Sequence, residues 1–85
     1  MDALRLHPGL LRREWEGEFV IFHTLTGETH LFSGFAARVF EALERGPLGA
    51  ADLGAMALKA GVSDDDAATT IEHLRDLRVV VAGRG

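Results

Sequence analysis

The chain has 85 residues, of which 47% are hydrophobic and 26% are charged, a balance typical of a folded domain rather than a disordered segment. Its formal net charge of −4 argues against a long nucleic acid as partner, because that affinity comes largely from Lys and Arg side chains that neutralise phosphates. The sequence has no cysteine, which excludes disulfides, thiolate catalysis and Cys-based zinc sites.

The length predicts a single small domain over residues 1–85, in which folding buries only about 60 to 65% of the surface that the unfolded chain exposes. The opening segment, MDALRLHPGL, lacks both the basic start and the continuous apolar run of a secretory signal. No stretch approaches the roughly 20 apolar residues of a membrane span. We therefore expect a cytoplasmic protein with no membrane segment.

Three segments in the first half of the chain show the alternation of β-strands. Leu10 to Trp15 is the first, and Phe19 to Thr24 and Thr29 to Phe32 form a hairpin around Thr26-Gly27. If Thr26 and Gly27 are the two central turn residues, His23 and His30 lie opposite each other across this hairpin. A one-residue bulge at Gly27 would break that pairing.

The middle strand carries bulky apolar side chains on both of its faces, in the alternating sets Phe19-Ile21-His23 and Val20-Phe22-Thr24. A sheet with one solvated face shows apolar groups on one set alone, so we expect something, which can be another chain, to cover the second face or the edge of this sheet. Most of the aromatic side chains are nevertheless expected in the core: Trp15, Phe19, Phe22, Phe32, Phe35 and Phe40.

Three later segments show the 3.6-residue period of amphipathic helices. The first follows Ser33 as N-cap and stops at Arg45-Gly46-Pro47, and the second runs from about Ala50 to Lys59 and ends at Gly61. The third begins at Ser63, which forms a capping-box-like pair with Asp66. The apolar residues at helical spacing are Phe35, Ala36, Val39, Phe40, Leu43, Leu53, Met56, Ala57, Ala60, Ala67, Ile71, Leu74 and Leu77.

The order of these elements predicts an α+β fold in which a three-stranded antiparallel sheet is followed by three helices. The second and third helices have the short connection of a helix-turn-helix, so the predicted class is the winged helix-turn-helix. Val79 to Ala82 is predicted to be a short final strand or an extended tail.

The sequence offers no set of residues suited to catalysis or to a metal ion. His23 and His30 could share an ion, but no third ligand is placed beside them, since His7 and His73 lie far off in the chain. The Asp64-Asp65-Asp66 run is explained by helix capping rather than by a cation site. We predict no catalytic residue, no metal and no cofactor, and hence a protein that is not an enzyme.

The helix-turn-helix arrangement makes DNA binding the main competing hypothesis, because the third helix is the one that would enter a major groove. The charges oppose this hypothesis. That helix begins with three aspartates and carries Glu72 and Asp76 against Arg75 and Arg78, and the hairpin that would form the wing is poor in Lys and Arg.

The segment EFVIFHTLTGETHLFSGFAARVFEALERGPL, an alanine- and leucine-rich helix and the closing HLRDLRVV together resemble the PqqD-like family of small peptide chaperones, also called RiPP recognition elements. The likeness covers about Trp15 to Val81, and its T-G-E-T-H-L core most resembles the branch named for the HPr-related-A system. Members of the quinone-cofactor pathway typically have an Asp-Gly pair after the first helix. This chain has Glu44-Arg45-Gly46-Pro47 there, so we do not assign it to that pathway.

The resemblance implies a winged helix-turn-helix that binds the leader segment of a ribosomally made precursor peptide and delivers it to a modifying enzyme. In the family the leader adds as a strand beside the third strand of the sheet and lies against the third helix, a case of β-augmentation. The client would be a radical SAM protein or an HPr-kinase-like neighbour, the latter by association alone. The implied peptide-binding residues are Thr29, His30, Leu31, Phe32, Ile71, Leu74, Arg75 and Arg78, of which Ile71 and Leu74 are also candidates for the core.

Three hypotheses about the function remain open at this point. The first is a non-catalytic adaptor for a leader peptide, the second an acidic winged-helix regulator of transcription, and the third a protein-interaction module without a leader peptide. An exposed strand edge can equally pair with its own copy, so a homodimer is a further alternative.

Overall fold

The computed structural model describes residues 3–83, and within them three helices follow a three-stranded antiparallel sheet. The sheet has the strand order β2-β3-β4. This is the predicted α+β arrangement, and it is consistent with a winged-helix-like fold. The elements in chain order are β1 (Ala3–Leu6), β2 (Leu10–Trp15), β3 (Glu18–His23), β4 (Thr29–Phe32), α1 (Gly34–Arg45), α2 (Ala50–Ala60), α3 (Asp64–Asp76) and β5 (Val80–Gly83).

A second, two-stranded sheet joins the two ends of the described chain. Strand β1 pairs antiparallel with β5, and Leu4 also forms an isolated bridge with Leu48 before α2. The side chains of Leu4 and Val80 are buried in the core. No strand was predicted at β1. For the C-terminal segment, predicted as a strand or a tail, the strand is confirmed.

The hairpin between β3 and β4 has a longer loop than the sequence predicts. The His23 N–H donates to the Glu28 carbonyl at 2.8 Å, and the Gly27 N–H donates back to the His23 carbonyl at 2.8 Å. Residues 24–27 therefore form the loop, with Gly27 in the left-handed region at φ +76. His23 faces Glu28 while His30 pairs with Ile21, so the predicted pairing of His23 with His30 is wrong.

The helices begin and end close to the predicted residues. Ser63 accepts a hydrogen bond from the Asp66 N–H at 3.1 Å, which confirms its role as N-cap of α3. Ser33 has the N-cap backbone conformation, but its hydroxyl makes no capping bond. Gly61 ends α2 at φ +71, as expected of a left-handed C-cap. None of the helices in residues 3–83 is long and apolar enough to cross a membrane.

The core lies between one face of the three-stranded sheet and the helices. Phe40 of α1 stands at its centre, with ring centroids 5.9 Å from Phe19 and 6.4 Å from Phe32. Leu74 of α3 is fully buried and belongs to the same cluster. The expected core role is confirmed for these three phenylalanines, whereas Trp15 is 71% exposed and Phe22 is also exposed.

Leu74→Ala should destabilise the protein by about 2 to 5 kcal/mol, because it removes a fully buried side chain and leaves a cavity. For a chain this small that cost is a large part of the free energy of unfolding. Urea denaturation followed by circular dichroism would measure it. Leu58→Ala on α2 is the matched control: Leu58 is 83% exposed, and we expect a change within about 0.5 kcal/mol. Equal unfolding midpoints for the two variants would contradict this placement of the core.

Candidate functional site

Strand β4 is an edge strand of the three-stranded sheet. It pairs with β3 along one side, and within residues 3–83 no strand pairs with its other side. A free edge of this kind presents unpaired N–H and C=O groups, which can accept a further strand. We call Thr29–Phe32 the edge strand.

The register of the hairpin determines which main-chain groups face the free edge. Hydrogen-bonded and non-hydrogen-bonded pairs alternate along an antiparallel ladder. Because the His23 N–H donates to the Glu28 carbonyl, the pair two residues further along, which contains His30, is also hydrogen-bonded. The N–H and C=O groups of Thr29 and Leu31 therefore point away from β3, towards the open side.

The side chains of the edge strand alternate between the two faces of the sheet. Thr29 and Leu31 lie on the face away from the helices, and both are exposed. Phe32 lies on the opposite face and is buried in the core. His30 shares that inner face, where its ring stacks on Phe32 with centroids 6.1 Å apart. Its Nε2 atom is buried and has no hydrogen-bond partner in the described chain, a condition that is costly for a polar atom.

The four predicted residues around α3 divide between core and surface. Leu74 has no exposed surface, so its place in the core leaves nothing for a contact with a partner. Ile71 is half-buried and packs against the core, while Arg75 is exposed. Arg78 follows the end of α3 in the left-handed region, at φ +60, and its side chain is exposed.

His23 connects the edge strand to the end of α3. Besides the backbone bond to Glu28, its Nε2 lies 3.1 Å from the Arg78 carbonyl, and its Nδ1 accepts a hydrogen bond from the Leu25 N–H at 3.3 Å. A carbonyl can only accept, so the proton is on Nε2. The ring is fully buried. The start of β4 and the C-terminal end of α3 are thus held at the same residue.

The burial of the His23 ring was not predicted from the sequence. The sequence did contain a signal for this burial, because His23 alternates with Ile21 and Phe19 along β3 and alternate residues of a strand share a face. His7 also lies beside it, with ring centroids 4.5 Å apart, although it is distant in the chain. The Nδ1 of His7 accepts a hydrogen bond from the Gly9 N–H. Among residues 3–83 no group of three or more His, Cys, Asp or Glu side chains could hold a metal ion.

The face of the sheet away from the helices is apolar, and in the described chain it is uncovered. Leu11 pairs across the strands with Phe22, and Arg13 with Val20, which in turn pairs with Leu31. We call this surface the outer face; its exposed large apolar side chains are Leu11, Trp15, Phe22 and Leu31. The core covers the inner face of β3, and the expectation that something, such as another chain, covers the second face or the edge stays a prediction.

Comparison with known proteins gives one similar fold. No protein-family model matches the chain, and no curated protein matches it. Among solved structures, the fold is similar to that of TbiB1 in complex with the TbiA(beta) leader peptide, with a TM-score of 0.76 over 95% of this chain and 99% of that chain. The sequence identity is 15%, so the likeness is one of fold.

His23→Leu should destabilise the protein by about 1 to 3 kcal/mol, because it leaves the Arg78 carbonyl and the Leu25 N–H without partners. Urea denaturation measures the change, and His73→Leu, at an exposed position of α3, is the control expected to change stability by about 0.5 kcal/mol or less. If both variants unfold at the same urea concentration as the parent, His23 does not connect the two elements energetically.

Proposed function

We propose that the protein is a non-catalytic peptide-binding adaptor. Its edge strand accepts the leader segment of a ribosomally synthesised precursor peptide as an added strand, and the adaptor presents that peptide to a modifying enzyme. The observation that carries the proposal is the free edge of β4, where the main-chain groups of Thr29 and Leu31 point outward. The fold shared with TbiB1, which was solved in complex with a leader peptide, supports it.

Strand addition explains how such a site gains both affinity and selectivity. Main-chain hydrogen bonds to Thr29 and Leu31 would provide affinity for any extended peptide, and contacts with alternate side chains would select among peptides. Residues of the peptide that point to the inner side would lie beside His30, and the family resemblance places them against α3, where Ile71 is half-buried. The unpartnered Nε2 of His30 offers one polar group there.

Two cations near the end of α3 suit an acidic leader. Arg75 and Arg78 are exposed, and neither has an ion-pair partner within 4.0 Å in residues 3–83. They would pair with carboxylates of the peptide. The client enzyme, a radical SAM protein or an HPr-kinase-like neighbour, belongs to this proposal as well. A homodimer in which two edge strands pair with each other is the alternative occupant of the same edge.

The proposal can be tested by an amide NMR titration of the labelled protein with the leader half of the precursor encoded beside its gene. We expect shifts confined to residues 29–33 and 67–78. Affinity should fall only moderately as salt rises, because Arg75 and Arg78 contribute just two exposed ion pairs, whereas a DNA duplex bound by a transcriptional regulator would be lost steeply. The absence of shifts at high peptide excess would exclude that peptide as the ligand.

Leu31→Pro tests the edge strand itself. It removes an N–H that faces the open side while leaving the ladder to β3 intact, and proline is tolerated at such positions. One lost hydrogen bond and the blocked edge should weaken leader binding about tenfold or more. Leu31→Ala is the control, because it shortens the side chain but keeps the N–H. Similar leader affinities for the two variants, both shown by circular dichroism to be folded, would rule out strand addition at this edge.

A further inference from the structure

A groove of about 600 Å³ lies between α1 and α2. None of its lining residues belongs to the proposed peptide site on the edge strand and α3. Its floor is apolar and half-buried, with Phe35 from α1, Met56 from α2 and Val62 after α2. It is therefore a second recessed surface, and the peptide-binding proposal leaves it without a function.

The rim of this groove is cationic, although the chain as a whole carries a net charge of −4. Arg38 and Arg45 rise from α1, and Lys59 rises from α2 on the opposite side. Glu41 is the carboxylate of the lining, and its Oε1 lies 4.0 Å from the Arg45 guanidinium. Arg38 and Lys59 have no ion-pair partner within 4.0 Å in residues 3–83. Two unpaired cations thus flank an apolar floor.

We propose that this groove binds an acidic amphipathic helix of a partner protein. Arg38 and Arg45 are seven residues apart on one helix, which places them about 10 Å apart along α1. A partner helix lying alongside would match them with two carboxylates that are also seven residues apart. Large apolar side chains on the intervening turn would cover Phe35 and Met56, and Met56 can adapt its shape to them.

Other occupants fit the groove less well. The chain's own α3 carries Asp65 and Glu72 seven residues apart on its exposed face. Between them, however, that face offers Ala68 and Thr69, which are too small to fill the floor, so a second copy would bury little apolar area. A nucleic acid would satisfy the cations through its phosphates but would leave Phe35 and Met56 against water. The combination of an apolar floor with a cationic rim favours the amphipathic helix.

Two synthetic peptides of about 15 residues would test the groove. One has a leucine stripe and two Glu residues seven apart, and the other has Gln at those two positions. In NMR titrations of the labelled full-length protein, we expect the Glu peptide to bind about tenfold more tightly and to shift Phe35, Met56 and Val62 rather than the edge strand. Equal affinities, shifts confined to residues 29–32, or no binding at about 1 mM would overturn the proposal.

A pair of charge-reversed variants provides the second arm of the experiment. Arg38→Glu should weaken binding of the Glu peptide about tenfold, and Arg13→Glu, which makes the same change in net charge on the outer face, should leave it unchanged. Both side chains are exposed, so both variants are expected to fold, and circular dichroism would check this. Equal weakening by the two variants would mean that net charge alone drives binding, against a specific groove. The titration with the leader peptide monitors different residues, so a negative outcome there would leave the test of the α1–α2 groove unaffected.

Discussion

The fully buried imidazole of His23 is the contact on which the arrangement of the hairpin and the third helix depends. A buried polar ring is stable only when its hydrogen-bonding atoms are satisfied. His23 meets this condition by bonding the Arg78 carbonyl at one nitrogen and the Leu25 N–H at the other. Both of these partners are main-chain groups, so the ring constrains the backbone of the hairpin loop and of the end of α3 together.

The second constraint is the small number of strands. The three-stranded sheet, the β1–β5 pair and the three helices provide one core, which lies on one face of the three-stranded sheet. The other face keeps Trp15 and Leu31 in contact with water, and β4 keeps one side of its ladder open. Residues 3–83 cover one face of the sheet only, and the proposed adaptor function rests on the surfaces that they leave open.

Charge is distributed unevenly over the remaining surface. Three aspartates occupy the first turn of α3, where they stabilise the helix and would repel a phosphate backbone. Arg12 is paired locally: it lies 2.8 Å from Glu44 and its guanidinium stacks over Phe19. Among residues 3–83, Arg75 and Arg78 near the end of α3, and Arg38 and Lys59 at the rim of the α1–α2 groove, have no ion-pair partner within 4.0 Å. Arg13 has none either, but it stands alone on the outer face. The positions of the two pairs, more than the net charge, indicate where anionic partners would bind.

Much of the candidate site could be predicted because its signals are local. The extended pattern of Thr29 to Phe32 and the order of the elements place an edge strand before the helices, and the structure has it there. The sequence could not show that Leu74 and Ile71 differ in burial, since both lie on the apolar side of α3. Only the packing of the sheet against that helix decides which of the two is fully buried and which keeps an exposed part.

The sequence by itself determined the helices, the three-stranded sheet and the class of fold, because caps, helical periodicity and strand alternation act between residues close in the chain. The Ser63 hydroxyl needs only the Asp66 N–H three residues away. Tertiary structure alone decided the pairing of β1 with β5 and the contact of His7 with His23. These contacts join distant segments, so they form only where the whole core brings the segments together. The four-residue loop of the hairpin, residues 24–27, was decided in the same way. The shorter turn that Thr26-Gly27 suggests would pair Leu25 with Glu28, whereas the Leu25 N–H donates to the buried His23 ring, which Arg78 holds from the far end of the chain, and Glu28 pairs with His23.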